Sequence, residues 1–195
     1  YDDLAPVYNR LGLNFLPVDY RGYGRSSGRP TVSNMMEDCH KVFQFVSGWL
    51  EEHGHSGPFI LMGRSLGSAS ALELARKYQD RVDALVLESA FARAEPLLTL
   101  LGIEVRAIGF REEEGFRNLD KIRDFLKPTL IIHAENDHII PFSEGFELFG
   151  ASGADDKRLV KIPGANHNDI FLRGLSLYME SIRTLAFSLR TTGNF

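Results

Sequence analysis

Ser65 stands between Gly63 and Gly67 in the run Phe59-Ile60-Leu61-Met62-Gly63-Arg64-Ser65-Leu66-Gly67-Ser68-Ala69-Ser70. An apolar stretch precedes it and an Ala- and Leu-rich stretch follows. This pattern, G-x-S-x-G between a strand and a helix, suits a nucleophilic serine projecting from a sharp turn. Such a turn strains the backbone and crowds its neighbours, so glycine is expected two residues away on either side. The helix that follows aims its N-terminal N–H groups at the serine, where they favour developing negative charge. A glycine-bounded turn with a capping serine has the same letters. The strand before and the helix after favour the nucleophile.

A serine hydroxyl is a poor nucleophile at neutral pH. It needs a base, and the base needs an orienting carboxylate. When a serine of this kind lies on a strand-to-helix turn, the chain order is Ser, then acid, then His. Leu130-Ile131-Ile132-His133-Ala134-Glu135-Asn136-Asp137 is a strand that ends in polar residues. Asp137 falls just past its C-terminal end, where sites on open parallel sheets form. Leu159–Ile162 is a further strand, and His167 lies in the loop Pro163-Gly164-Ala165-Asn166-His167-Asn168-Asp169 before the last helix. The expected catalytic set is therefore Ser65, Asp137 and His167, with Glu135 as the second choice of acid. Asp169 is expected to cap the last helix. His40 belongs to a helix, His53 and His55 to a solvated helix end, and His133 to a strand interior as a satisfied core residue. No His, Cys and carboxylate cluster has zinc spacing, so no metal and no cofactor are expected.

These residues must be held by strands and helices. Residues 14–20, 58–63, 84–89, 129–134 and 157–162 read as strands, most of them apolar enough to be buried on both faces. Helical periodicity covers 32–53, 66–78 and 170–189, with Gly54 stopping the first. Strands alternating with helices predict a mostly parallel sheet covered by helices on both faces. Residues 21–31 read as a loop. Residues 91–127 carry two helical pieces around the acidic run Glu112–Glu114. That segment is either a small lid over the site or a crossover connection with a solvated charge run.

The 195 residues suit one domain and are too few for two ordinary ones. Hydrophobic residues make up 44% and charged residues 25%, the profile of a globular protein in water. A net charge of -4 provides no broad basic field, which argues against nucleic acid as a partner. The single cysteine, Cys39, rules out an internal disulfide, fits a reducing compartment and makes a cytoplasmic location the expectation. No apolar run reaches the roughly 18 residues of a membrane-spanning helix, and no signal peptide is visible. The chain begins at Tyr1 rather than at a methionine, so an upstream anchor or signal is compatible with it.

The run Phe15-Leu16-Pro17-Val18-Asp19-Tyr20-Arg21-Gly22-Tyr23-Gly24-Arg25-Ser26-Ser27-Gly28 resembles the D-Y-R-G-Y-G-x-S-x-G segment of serine α/β-hydrolases of the Bem46 type. The Gly63–Gly67 turn, the Asn136-Asp137 pair before Ile140-Pro141, and His167-Asn168-Asp169 follow in the same order. The resemblance spans nearly the whole chain. It implies an α/β-hydrolase fold, Ser65 as nucleophile, Asp137 as acid, His167 as base and the Leu66 backbone N–H as one oxyanion donor. It also implies cleavage of a carboxylic ester or thioester of a small molecule or an acylated protein. Relatives include esterases, thioesterases and membrane-associated protein depalmitoylases. By analogy Tyr20 lines the acyl pocket, with simple packing as the equal alternative. Arg21 and Arg25 either meet an acidic substrate or, as such loop arginines more often do, pair with nearby carboxylates or face water. Two other classes compete: a serine peptidase of the same fold, and a non-catalytic binding relative. Retention of all three triad residue types argues against the latter.

Relatives place an H-G-N type loop, which supplies a second oxyanion N–H, before their first helix and after a central strand. Here Tyr1-Asp2-Asp3-Leu4 looks like the start of that helix. The expectation is that the N-terminal strands and the oxyanion loop lie outside this sequence. One missing oxyanion donor typically costs about 100- to 1,000-fold in turnover, so these residues alone are expected to be weakly active.

Overall fold

The computed structural model describes residues 3–192 except 101, 103, 106 and 108, and two compact units are distinguished, Tyr1–Ser56 and Gly57–Phe195. In the first, α1 (Ala5–Arg10) and α2 (Val32–Glu52) flank a long loop. The Thr31 side chain caps α2 by accepting the Asn34 N–H. Met35, Cys39 and Phe43 recur every four residues and are buried, so they form one face of the helix. Residues 14–20, read as a strand from their composition, form none. A strand exists only through a ladder to a neighbour. Pro17 lacks an N–H, Leu16 and Val18 are exposed, and the first unit contains no strand to pair with among its described residues.

The second unit contains β1 (Ile60–Arg64), α3 (Gly67–Lys77), β2 (Ala84–Glu88), α4 (Ala94–Leu100), α5 (Asn118–Asp124), β3 (Thr129–Ala134), α6 (Phe142–Ala151), β4 (Lys157–Ile162) and α7 (Ile170–Thr192). The four strands are parallel in the order β1-β2-β3-β4. All residues of β2 and β3 are buried, as their apolar composition predicts. β4 is less so, because Arg158 and Lys161 are exposed.

Register assigns the helices to faces. His133 pairs with Lys161 across the sheet, and both meet Phe142 of α6. Glu88 is in register with Arg64 on one side and Ile132 on the other, and so lies on the opposite face from His133. There it meets Tyr178 of α7. Helices α6 and α7 therefore cover opposite faces, as expected. α5 packs beside α3 and α6, with buried Lys121 paired to Glu73 of α3. α7 bends at Gly174, whose dihedrals are not helical.

Residues 91–127 form the connection between adjacent strands β2 and β3. The acidic run inside it is not simply solvated. Glu113 and Glu114 are exposed, but the Glu112 carboxylate accepts the N–H groups of Ala94 and Glu95 and caps α4. α6 has no counterpart among the helices read from periodicity. Gly145 and Gly150 lower its helix propensity, and its burial on the sheet compensates.

Candidate active site

Ser65 is the first residue after β1. Its φ is 51°, the left-handed region that non-glycine residues rarely occupy. Such strain costs on the order of 1–3 kcal/mol and persists where the surroundings over-determine it. Here the Ser65 N–H donates to the Glu88 carbonyl at 2.9 Å, and the Ser65 carbonyl accepts the Ser68 hydroxyl at 2.6 Å. The flanking glycines are not equivalent. A Cβ on Gly63 would lie 2.6–2.7 Å from Gly67 O, Ala71 Cβ and Ser68 Cα, so only glycine lets α3 approach β1 this closely. A Cβ on Gly67 would meet nothing within 4 Å. Crowding therefore accounts for the first glycine and not the second.

Asp137 and His167 follow β3 and β4 at the same sheet edge as Ser65. His167 Nδ1 lies 2.7 Å from Asp137 Oδ2, and its Nε2 lies 3.1 Å from Ser65 Oγ. An ionised carboxylate only accepts, so Nδ1 carries the proton and Nε2 is left to accept the serine O–H. The other Asp137 oxygen accepts the N–H groups of Ile139 at 3.0 Å and Ile140 at 2.8 Å. Burial alone would raise the Asp137 carboxyl. The bonds from His167, Ile140 and Ile139 outweigh it and hold the group below its ordinary value of 3.8. The loops that carry Asp137 and His167 are joined directly, since Asn136 N–H donates to the Ala165 carbonyl at 2.8 Å.

Glu135, the second choice of acid, points elsewhere: its carboxylate accepts the Gly164 N–H and pairs with Lys161. Asp169 does not cap α7 with its side chain. Its carboxylate takes the Asn166 N–H and Arg173, while its backbone carbonyl accepts the Arg173 N–H. This tightens the loop that carries His167. His53 and His55 are exposed and stack on Trp49. His133 is fully buried with one nitrogen satisfied, Nε2 against the Ile140 carbonyl at 2.8 Å. Its Nδ1 has no partner among the described residues.

The N–H groups of Ser68 and Ala69 go to the carbonyls of Ser65 and Leu66. No acceptor for the Leu66 N–H occurs among the described residues. Tyr20 and Arg21 belong to the first unit. There the Arg21 fork grips Asp38 through Nε at 3.0 Å and Nη2 at 2.5 Å, the local pairing that was one of its two expected fates. Both residues line a cavity of about 470 Å³ with Asp19, Arg25 and Lys41. Among the described residues, no group of three His, Cys, Asp or Glu side chains could hold a metal ion, and no helix is long and apolar enough to cross a membrane.

Sequence reading did not find the group beneath the site. Arg64 Nε donates to Glu88 Oε1 at 2.8 Å, Arg64 Nη2 donates to the His167 carbonyl at 2.6 Å, and the Tyr178 hydroxyl donates to Glu88 Oε2 at 2.8 Å. The available signal was a carboxylate at the end of the apolar run Ala84-Leu85-Val86-Leu87-Glu88, because a charge at a buried position needs partners.

A family model described as "Serine aminopeptidase, S33" matches residues 1–110. Protein bem46 of Schizosaccharomyces pombe is 31% identical over 169 residues, which are 85% of this chain and 55% of that protein. Alpha/beta hydrolase domain-containing protein 17B of Homo sapiens is 32% identical over 182 residues, 90% of this chain and 57% of that protein. The chain thus spans about half the length of these curated relatives. Among solved structures, a monoacylglycerol lipase from Paleococcus ferrophilus superposes with a TM-score of 0.70 at 19% identity, covering 97% of this chain and 89% of that one. Est1E from Butyrivibrio proteoclasticus, with ferulic acid bound, superposes with a TM-score of 0.71 at 20% identity, covering 89% of this chain and 76% of that one. At such identities the structural likeness concerns the fold. The family model covers more than half of the chain, and the chain belongs to the family it describes, within the α/β-hydrolase superfamily.

Proposed function

We propose that this chain carries the nucleophile, base and acid of a serine hydrolase that cleaves a carboxylic ester or thioester. The observation behind the reading is the hydrogen-bonded series Asp137–His167–Ser65, on a serine held in the left-handed region at the end of a parallel strand. Ser65 Oγ attacks the carbonyl carbon while His167 Nε2 takes its proton. Asp137 keeps the Nδ1 tautomer in place and stabilises the imidazolium. The oxyanion faces the Leu66 N–H. Collapse expels the alcohol or thiol, which receives the proton from His167 and leaves the acyl group on Ser65. His167 then deprotonates a water molecule that attacks the acyl-enzyme, and as the carboxylic acid departs His167 returns the proton to Ser65 Oγ. Ester cleavage is supported by the monoacylglycerol lipase among the structural neighbours. The family description favours a second reading, hydrolysis of a peptide bond by the same residues.

A fluorophosphonate probe tests the nucleophile. Labelling is expected in the parent chain and lost in Ser65→Ala, and labelling that survives the substitution would overturn the assignment. A panel of p-nitrophenyl esters, acyl thioesters and aminoacyl amides then separates the two readings. Turnover of amides alone would favour the peptidase.

A further inference from the structure

We infer that Arg64 is a positioning residue for His167, gripping its backbone from below while Asp137 holds its ring. The inference rests on the reading of His167 as the base. His167 belongs to a loop, and a ring fixed only through Nδ1 can still swing with its backbone. Arg64 removes that freedom, because its guanidinium bridges two acceptors from one rigid plane. Nη2 binds the His167 carbonyl at 2.6 Å and Nε binds Glu88 at 2.8 Å.

Glu88 is itself held at both carboxylate oxygens. It is fully buried in β2 and its second oxygen takes the hydroxyl of Tyr178, which is also fully buried. The base loop is thereby tied through one side chain to β1, β2 and α7. Arg64 also directly precedes Ser65, so the residue that anchors the base is joined covalently to the nucleophile. Any movement of the turn carries the anchor with it.

Stability is a poor reason for this arrangement. A buried ion pair is often no more stabilising than apolar residues of the same volume. Burial pushes the Glu88 carboxyl above its ordinary value of 4.5, against the pull of Arg64 and of the Tyr178 hydroxyl. What the pair adds is geometry, and a misplacement of about 1 Å in a reacting group can cost 100-fold in rate.

The test compares Arg64→Lys and Arg64→Met in the full chain. The second-order rate of fluorophosphonate labelling, and kcat and KM on p-nitrophenyl butyrate, are followed from pH 5 to 9. Lys keeps the charge and loses the planar fork. The expected result is a fall of about 10- to 100-fold in labelling rate and kcat for both variants with KM little changed. Parent-like labelling and kcat in Arg64→Lys would overturn the inference while leaving Ser65 and His167 in their roles. Labelling of Ser65→Ala, run alongside, would instead sink the reading on which it rests. Should Arg64→Met fail to fold, Arg64→Lys and Tyr178→Phe decide. Tyr178→Phe should lower kcat by several-fold without changing KM, and an unchanged kcat in either would overturn the inference.

Discussion

His167 Nδ1 and Asp137 Oδ2 lie 2.7 Å apart, both side chains are buried, and the remaining Asp137 oxygen is occupied by two backbone N–H groups. The carboxylate is fixed before it fixes the imidazole. Asp137→Asn preserves the shape and an oxygen for Ile139 and Ile140, but its amide can face Nδ1 with a donor and so favour the wrong tautomer. We expect kcat on an ester to fall by about 10⁴-fold, the loss seen for the equivalent change in a serine protease, with far-UV circular dichroism unchanged. Glu135→Gln should leave turnover essentially unchanged. The opposite ranking would move the acid to Glu135.

The asymmetry around Ser65 predicts unequal tolerance of alanine. Gly63→Ala must push α3 away from β1, since its Cβ would overlap Gly67 O, Ser68 Cα and Ala71 Cβ. A loss of about 1–3 kcal/mol in urea unfolding is expected, together with slower fluorophosphonate labelling. Gly67→Ala meets open space and starts a helix, so its stability should stay within about 0.5 kcal/mol of the parent. Equal losses for both would contradict the packing described.

Burial pushes the His133 imidazole below its ordinary value of 6.5, against the pull of the Ile140 carbonyl and of Asp137. The native state then binds fewer protons than the unfolded chain below that value. Stability from this group is present above pH 6.5 and is lost as the pH falls through the lower native value. His133→Gln keeps a donor for Ile140 and cannot titrate. Urea midpoints of the parent should decline more steeply from pH 6.5 downwards than those of His133→Gln. Parallel curves would show that His133 carries no such linkage.

The Glu112 carboxylate supplies the cap that α4 lacks locally. Glu112→Ala should cost about 1 kcal/mol, the usual worth of an N-terminal cap. Hydrogen exchange should speed up at the amides of Ala94 and Glu95 before it does so in β2 or β3. Unchanged protection at these two amides would remove Glu112 from that role.

What was legible in the chain is what depends on near neighbours. An apolar run ending in Gly63-Arg64-Ser65-Leu66-Gly67 declares a strand, a turn and a helix within a dozen residues. Polar residues after 129–134 and 157–162 mark strand ends, and parallel packing then brings all strand ends with the same sense to one edge. Residues 14–20 show where this reasoning stops, since alternation and composition describe readiness to pair and not the presence of a partner. The same limit hid α6, whose glycines are offset only by its burial against the sheet.

Tertiary structure alone decided the contacts between distant residues. Arg64 reaches Glu88 at a separation of 24 residues and the His167 carbonyl at 103. Neither distance leaves a periodic trace, because a hydrogen bond depends on where folded strands deliver two atoms and not on how far apart they lie in the chain. The sequence by itself determined which residue types could do chemistry and in what order they occur. Folding decided which carboxylate faces His167, which glycine beside Ser65 is crowded, and that His167 is held at its backbone as well as its ring.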